Sequence, residues 1–437
     1  MKTGHSKIYF GWWTVLVTGI LSGLGHGFYG YGVSVFFKDL AAELSLSRAI
    51  TSVAAGIGRV EGGITSPLVG WLADRYGPRW IIIFGICIAA IGMIMMNFVN
   101  TMWAYFVAWG VLAGVGLNIG LTIAVDKTLT DWFIRKRGLA QGIKFGLIGV
   151  GGVVAIPIVT WLVTSQGWRT TCLLWGIIML AGTPLIWLFV KQQRPEYYGL
   201  LPDGARVESG LEASINGMID RGIEYASSLQ ETEFTLREAL RTRTYWFLAI
   251  AFSVQTMIIG GFNIHTIPFL TDMEIDPAVA SGMMAMMVFF TIPGRFLGGV
   301  IADRIGKSRL QFLLAGAFFL QAVGIGTFIL NQSMPALYVL LIFYGFSSGA
   351  CTPIYLVILG RYFGRKAFGS ILGSAFLFRA PISLVAPIYT GWVYDTRGSY
   401  IMAFSLFAAL AAAATLLLLS VRAPRLPSTG IDITSLT

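Results

Sequence analysis

The sequence predicts an all-α polytopic membrane protein whose twelve transmembrane helices form two pseudo-symmetric six-helix bundles. Three observations support this prediction: the composition, the number of long apolar segments and an internal repeat. Of the 437 residues, 56% are hydrophobic and only 12% are charged, whereas soluble domains carry about 25% charged residues. The formal charge of +10 is interpreted as an orientation signal in short loops and not as a nucleic-acid-binding surface.

Apolar segments of about 20–28 residues are long enough to cross a membrane, and they must be helical there, because lipid cannot satisfy the polar groups of the backbone. The sequence contains twelve, near residues 9–37, 47–73, 79–98, 102–130, 138–163, 169–190, 244–271, 278–303, 309–329, 336–361, 366–394 and 399–421. The first segment is too long for the apolar core of a signal peptide, so we expect it to remain as a helix.

The segments fall into two groups separated by a polar stretch. We expect an N-terminal six-helix bundle over 1–190, a cytoplasmic linker over 191–243, a C-terminal six-helix bundle over 244–421 and a cytoplasmic tail over 422–437. The linker contains LREALRTRTYW, a pattern typical of an amphipathic helix at the membrane surface.

Basic residues in the loops are distributed unevenly between the two membrane faces. When loops are assigned alternately, one face carries most of them, and the other keeps only Lys38, Arg48, Arg169 and Arg397. The positive-inside rule then predicts that both termini are cytoplasmic, in a multi-pass protein of the cell inner membrane.

The two halves of the chain repeat the same pattern. GWLADRYGPR, from Gly70 to Arg79, matches GVIADRIGKSR, which begins at Gly299. WFIRK at 132–136 likewise matches YFGRK at 362–366, and the turn at Gly167 matches the turn at Gly398. The three pairs keep nearly one register, which predicts a parallel repeat with a substrate site near the midplane between the halves.

The loop pattern GxxxDRxGxR, present in both halves, resembles the signature of the major facilitator superfamily. Within that superfamily, DWFIRKRGLAQG at 131–142 resembles the fifth-span motif of monocarboxylate transporters. RPEYYGLLPDG at 194–204 is similar to the linker entry of bacterial monocarboxylate transporter and oxalate–formate antiporter relatives. The resemblance implies that Arg295 is a substrate-binding arginine of span eight and that Arg379 is the basic residue of span eleven.

One position departs from the family pattern. Animal monocarboxylate transporters resemble this chain around Arg295 but carry an aspartate four residues earlier, where this chain has Thr291. Proton coupling through that carboxylate is therefore not expected here.

Arg295 and Arg379 also stand out without any resemblance, because each lies within an apolar span. A permanent cation at the centre of a membrane costs about 2.5–3.5 kcal/mol on insertion scales, and such residues usually face a cavity or a partner. No acidic residue lies within one helical turn of either arginine in its own span. We interpret both as candidate substrate contacts, with a structural pairing of one arginine to carbonyl groups or to Glu61 as the alternative.

Other polar residues fall in the same central layer when depth is counted at about 1.5 Å per residue. Asn118, Tyr29 and His26 are candidate hydrogen-bonding partners of the substrate, although polar residues also join helices. His265 is a candidate contact nearer the outer end of span seven. Glu61 and His26 are candidates for carrying a proton, with structural hydrogen bonding as the alternative.

A third group of residues lies at the inner ends of the spans. Its members are predicted to act in gating: Asp74, Arg75, Arg79, Asp126, Asp303 and Arg304. Asp126 has two possible partners, because it can pair with Lys144 on the neighbouring span or join the loop that contains Asp74.

The sequence indicates neither an enzyme nor a metalloprotein. Cys87, Cys172 and Cys351 lie in apolar stretches without paired spacing, and no metal-ligand cluster, nucleophile elbow or phosphate-cradling motif is present, so we expect no cofactor. The favoured function is secondary transport of a small organic carboxylate by alternating access, in a functional monomer. Proton-linked monocarboxylate transport comes first, and dicarboxylate exchange or a non-transporting anion sensor stays open.

Overall fold

Long helices make up most of the chain in the computed structural model, which describes residues 8–46, 48–205, 215–229 and 232–424. By length and composition, nine helical stretches of the described residues qualify as membrane spans. One of them, Arg137–Phe189, contains two spans, because the helix is broken at Gly167, where φ is 80°. These nine stretches therefore contain ten spans. Spans one and two are described as helices outside this set, and with them the chain has twelve spans in two groups of six.

The first bundle consists of spans one to six. Their bounds are Phe10–His26, Gly27–Gly32 and Val33–Glu43 (span one), Arg48–Tyr76 (two), Pro78–Met95 (three), Met102–Trp132 (four), and Arg137–Ala181 with Thr183–Phe189 (five and six). Spans one and four contain π-helical segments, which occur frequently at functional sites. Tyr29 lies in one of them, and Asn118 lies between two others.

The second bundle consists of spans seven to twelve, which run without such interruptions. Their bounds are Arg243–Asp272 (seven), Pro277–Arg304 (eight), Leu310–Leu330 (nine), Met334–Phe363 (ten), Phe368–Arg397 (eleven) and Ile401–Leu419 (twelve). Each bundle has an apolar core, and the core of the second bundle extends to Val69 and Ile123 of the first. Cys172 and Cys351 are buried in these cores as free thiols.

The bundles meet along two pairs of spans: span two packs on span eleven, and span five packs on span eight. Glycines permit the close approach at both contacts. A side chain at Gly70 would collide with the carbonyl group of Gly369, and a side chain at Gly138 would collide with that of Gly299. These contacts follow the pseudo-symmetry of the repeat, because small residues allow helix backbones to come together in membranes.

The described parts of the linker, residues 191–205, 215–229 and 232–243, lie along one end of both bundles, which we call the linker face. The described ends of the chain lie there too, since Tyr9 packs on Trp132 and Thr244 donates a hydrogen bond to the carbonyl oxygen of Arg422. The opposite end is called the far face.

The linker contains more helix than the sequence suggested, in a different place. The stretch LREALRTRTYW forms only the short helix Leu236–Leu240 and then enters span seven, whose start is capped by Thr242. Thr235 and Glu238 form a capping box, and the hydrogen bonds from Thr235 lower the pKa of the Glu238 carboxyl. The longer helix Ile215–Ser228 was not predicted.

Candidate functional site

Arg379 is held in the middle of span eleven by aromatic rings. Its guanidinium carbon lies 3.5 Å from the ring centroid of Phe376 and 4.9 Å from that of Phe252, and these cation–π contacts stabilise a charge in an apolar setting. The groups that act on its charge come from both bundles, Tyr355 of span ten and Asp126 of span four. Within the described ranges, no carboxylate forms an ion pair with Arg379, so its charge is compensated only at longer range.

Arg295 crosses from span eight to span five. Its Nη1 donates a hydrogen bond to the carbonyl oxygen of Phe145 at 3.0 Å and lies beside Gly149, where a side chain would crowd it. The side chain is only partly buried. Such a contact with a carbonyl group is the structural role that the sequence analysis gave as the alternative to substrate binding.

Asp126 and Lys144 form an ion pair inside the first bundle. Lys144 Nζ lies 2.7 Å from Asp126 Oδ1, and both side chains are 1% exposed. Asp126 therefore takes the first of its two expected partners, while the next residue, Lys127, is the one that reaches Asp74. The pair is central, because Phe145, which follows Lys144, is the residue that accepts the hydrogen bond of Arg295.

His26 lies close to this pair at the end of the first helical part of span one. Its Nδ1 is 3.1 Å from the carbonyl oxygen of Ser22, which can only accept, so Nδ1 carries a proton; in the neutral ring Nε2 is then an acceptor. Lys144 is near enough to act on the ring electrostatically. Tyr29, one turn later, stacks on Trp109 of span four at 4.9 Å between ring centroids.

Span two contributes a carboxylate of a different kind. Among the described residues, the buried Oε2 of Glu61 has no hydrogen-bond partner. The adjacent Gly62 packs against the side-chain amide of Asn118, which donates to the carbonyl oxygen of Gly114 at 3.1 Å. Asn118 thus joins spans two and four next to Glu61.

His265 is separate from this layer and contacts span eleven within the second bundle. Its Nε2 lies 3.0 Å from the carbonyl oxygen of Pro387, and its ring is 5.5 Å from that of Tyr400. The structure therefore brings Arg379, Asp126, Lys144 and His26 into one region, while His265 lies nearer the far face.

The inter-bundle contacts at the linker face use two aspartates in equivalent ways. Asp74, at the end of span two, accepts hydrogen bonds from the backbone N–H groups of Gly369 and Ser370 at 3.0 and 2.7 Å, and from the Ser370 hydroxyl. Each carboxylate oxygen thus meets an orphan donor in the first turn of span eleven, which also has a favourable dipole. Lys127 Nζ lies 3.5 Å from Asp74 and 2.7 Å from Asp131, so its charge is shared between the two carboxylates.

Asp303 repeats the arrangement at the end of span eight. Its carboxylate accepts hydrogen bonds from the backbone N–H groups of Gly138 and Leu139 of span five, both at 2.7 Å. Arg361 lies 3.9 Å away, in the role that Lys127 has in the first half. The repeat read from the sequence therefore produces a reciprocal pair of helix caps between the bundles.

The arginines predicted to act in gating do not take part in those caps. Arg75 lies over the ring of Trp71, and Arg79 lies over that of Trp187 while donating a hydrogen bond to its carbonyl oxygen; all of these are contacts within the first bundle. Arg304 is exposed at the end of span eight. In the arrangement described here, the aspartates bridge the bundles and these arginines do not.

The linker adds two polar contacts that sequence reasoning did not identify. Asp203 accepts hydrogen bonds from the backbone N–H groups of Ile134, Arg135 and Lys136 at 2.8–3.1 Å and from the Tyr225 hydroxyl at 3.1 Å. Burial first, and the Asp203 charge second, raise the pKa of Tyr225 above its usual range.

The second linker contact reaches the other bundle. Glu196 Oε1 lies 3.0 Å from Arg365 Nη2, with side chains 4% and 1% exposed. The signal for both contacts was present as two acidic residues in the RPEYYGLLPDG motif, but their partners lie far away in sequence. The linker entry is therefore fastened to the loop before span five and to the loop before span eleven.

Two six-helix bundles related by an internal repeat, with charged side chains in the layer between them, define a membrane transporter of the two-bundle class. The model of the Major Facilitator Superfamily matches residues 15–387, so the chain belongs to that superfamily. This membership confirms the fold class that the repeat predicted.

Similar proteins include mammalian monocarboxylate transporters. The chain is 24% identical over 400 residues to monocarboxylate transporter 13 of Rattus norvegicus, covering 90% of this chain and 85% of that one. It is also 24% identical over 398 residues to monocarboxylate transporter 2 of Mesocricetus auratus, covering 89% and 80%.

Two solved structures share the fold at low identity. The human organic anion transporter MFSD10 superposes with a TM-score of 0.66 and 14% identity, covering 93% of this chain and 98% of that one. The proton:xylose symporter XylE gives a TM-score of 0.70 and 14% identity, covering 94% and 95%. At this identity the likeness concerns the fold alone.

Proposed function

We propose that this protein is a secondary active transporter that moves a small organic carboxylate anion across the membrane by alternating access. The observation that carries the proposal is the setting of Arg379, a permanent cation between the bundles whose charge no described carboxylate pairs directly. An arginine fork binds a carboxylate through two parallel N–H···O bonds. The names of the relatives, monocarboxylate transporters, agree with this substrate class.

The charge balance of the central layer favours an anion. Among the described charged residues of this layer, Lys144 and Asp126 neutralise each other at 2.7 Å, which leaves Arg295, Arg379 and the carboxyl group of Glu61. Because Glu61 has a buried oxygen without a described partner, it is the group best suited to accept a proton. A protonated Glu61 leaves a net charge that one or two carboxylate groups would compensate.

Alternating access requires a closed state at each face. The reciprocal caps of Asp74 and Asp303 support a closed linker face in the arrangement described here. Opening that face would separate span two from span eleven and span five from span eight, and the anion site would then be reached from the linker side. The loop charges orient this side toward the cytoplasm of a cell inner membrane, with both termini inside. A single chain contains both halves of the site and would function as a monomer.

Proton-linked monocarboxylate transport is the form we favour, with Glu61 or His26 carrying the proton. The acceptor Nε2 of His26 and the unpartnered oxygen of Glu61 are each available to a proton. Exchange of dicarboxylates is the second candidate, because Arg295 and Arg379 provide one guanidinium group for each end of such a substrate.

Proteoliposomes test these alternatives directly. Purified protein would be reconstituted without ATP, and uptake of radiolabelled mono- and dicarboxylates would be measured with and without an inward proton gradient, and with and without unlabelled anion inside. Proton-linked transport predicts uptake driven by the gradient in empty liposomes. Uptake that needs internal anion and ignores the gradient would favour exchange, and binding without any flux would favour a sensor.

A matched pair of variants ties the flux to the proposed site. Arg379→Gln removes the central charge of span eleven, whereas Arg397→Gln makes the same change at the exposed end of that span. We expect flux to be lost only in the first variant. Equal flux in both would remove Arg379 from the substrate site.

A further inference from the structure

A cavity of about 450 Å³ lies at the linker face, between the bundles and outside the central layer. It is lined by Arg135, Lys136 and Leu139 at the start of span five and by Val300, Asp303 and Arg304 at the end of span eight. Its volume lies within the range of ligand pockets, about 300–1,000 Å³. Both bundles contribute to it, so it exists only while spans five and eight are together.

Three cations of this cavity are available to a ligand. Arg135, Lys136 and Arg304 are exposed, and in the ranges described, none of their side chains has an ion-pair or hydrogen-bond partner. The acidic member of the lining, Asp303, is already occupied by the backbone N–H groups of Gly138 and Leu139 and lies 3.9 Å from Arg361. Asp203, which accepts hydrogen bonds from the backbone N–H groups of Arg135 and Lys136, is a second carboxylate beside the cavity. The three cations outnumber these two carboxylates, so a net positive charge remains.

The basic residues at the symmetry-related position have different contacts, which separates this cluster from a general orientation signal. There, the counterpart of Arg135 is Arg365, which is buried in its ion pair with Glu196. The counterpart of Arg304 is Arg75, which lies over the ring of Trp71 at 5.2 Å. Arg75 and Lys366 are both exposed there, but Arg75 is engaged by the Trp71 ring. Among the described residues, the side of spans five and eight therefore has more basic side chains without a contact partner.

We propose that this cavity binds a phosphate group, supplied by the headgroup of an anionic phospholipid or by free phosphate. Basic pockets between transmembrane helices recognise lipid headgroups, and guanidinium groups bind phosphate as a planar fork. The half-buried Leu139 and Val300 offer apolar surface to the glycerol and acyl part of a lipid, which free phosphate lacks. This site is separate from the proposed substrate site, and phosphate binding there does not require the proposed transport function.

A phosphate held by Arg135 and Lys136 on one bundle and by Arg304 on the other bridges the two. It binds to the arrangement with a closed linker face and has no complete site when spans five and eight part. By linkage, a ligand that binds one state stabilises that state. The site is thus a means by which an anionic membrane surface favours closure of the linker face.

The test is direct lipid binding, which needs no transport. Phosphatidylglycerol would be titrated onto purified protein in neutral detergent and bound lipid counted by native mass spectrometry, with phosphatidylcholine as the comparison lipid. The triple variant Arg135→Gln, Lys136→Gln, Arg304→Gln should bind phosphatidylglycerol about 100-fold more weakly, since each basic residue near a surface contributes about 1 kcal/mol. The matched control Arg75→Gln, Lys366→Gln, at the symmetry-related position, should bind as the parent protein does.

The outcomes separate the sources of the phosphate. Displacement of the lipid by millimolar inorganic phosphate would assign free phosphate as the occupant, and resistance to it would assign the headgroup. Equal loss of binding in the triple variant and the control, or no loss in either, would overturn the proposal. Thermal unfolding in phosphatidylcholine checks that the triple variant is folded, which we expect because all three side chains are exposed.

Discussion

Arg379 shows how a single residue can be held ready for an anion. The rings of Phe376 and Phe252 cover its guanidinium group without satisfying its donors, because a ring face offers charge stabilisation and no carboxylate geometry. Arg379→Lys keeps a charge but loses the planar fork, so we expect binding of a monocarboxylate to weaken about 10- to 100-fold. Isothermal titration with the best substrate of the uptake panel measures it. The same change at exposed Arg397 should leave affinity unaltered, and a loss there as well would indicate a general charge effect.

The ion pair of Asp126 and Lys144 yields a prediction about stability. Both side chains are 1% exposed, so Asp126→Asn leaves the charge of Lys144 buried without its partner. Removing one member of a buried pair costs about 3–5 kcal/mol, whereas replacing both often costs little. We expect a large fall in thermal stability for Asp126→Asn and recovery in Asp126→Asn, Lys144→Met. A double variant no more stable than the single one would show that the pair does not act as a unit.

At the residue scale, the sequence identified which residues are unusual for their position but not which residues they contact. The cost of a cation in a membrane made Arg295 and Arg379 conspicuous, and one of the two partners weighed for Asp126 is the observed one. The hydrogen bond from Arg295 to Phe145 and the rings around Arg379 depend on how spans from different parts of the chain rotate against each other. Periodicity does not specify that rotation, so the particular partners could not be predicted, although a contact with carbonyl groups was one of the alternatives for these arginines.

At the scale of elements, the linker does more than connect the two bundles, because its polar side chains bind the loops that precede spans five and eleven. Asp203 accepts three backbone hydrogen bonds at the start of span five, and Glu196 binds Arg365 before span eleven. Hydrogen bonds to a charged group contribute about 1.5–3 kcal/mol. We therefore expect Asp203→Ala to lower the free energy of unfolding by at least that amount. Chemical denaturation measures it, and Asp220→Ala, on the exposed face of the linker helix, is the matched control. Equal stability of the two variants would contradict a stabilising role for the hydrogen bonds of Asp203.

The elements themselves were largely predictable, and the exceptions have physical reasons. Long apolar runs must be helical in lipid, so the spans followed from composition. The linker lacks that constraint, and its helices depend on caps. Thr242 caps the start of span seven, so the predicted interfacial helix is divided between Leu236–Leu240 and the first turn of that span. The π-helical segments of spans one and four left no mark in the pattern, because they widen a helix without changing its composition.

At the scale of the whole molecule, the internal repeat turns two local contacts into one mechanical unit. Asp74 caps span eleven and Asp303 caps span five, so both caps must release together if the bundles rotate as rigid bodies. Alternating access then predicts opposite distance changes at the two faces. Spin labels at exposed positions 76 and 366 report on the linker face, and labels at 103 and 330 report on the far face.

Pulsed electron resonance on these label pairs, in a background without Cys87, Cys172 and Cys351, should show two distance populations. When substrate lengthens the distance between labels at one face, the distance at the other face should shorten, because a rigid rotation about the central layer cannot open both faces. Asp74→Ala with Asp303→Ala should shift the equilibrium toward the longer distance at the linker face, since it removes both caps. Labels at 103 and 153, within the first bundle, provide the control and should not change. Distances that lengthen at both faces would mean that the bundles separate instead of rocking, and the central anion site would then lose the two-sided enclosure on which transport depends.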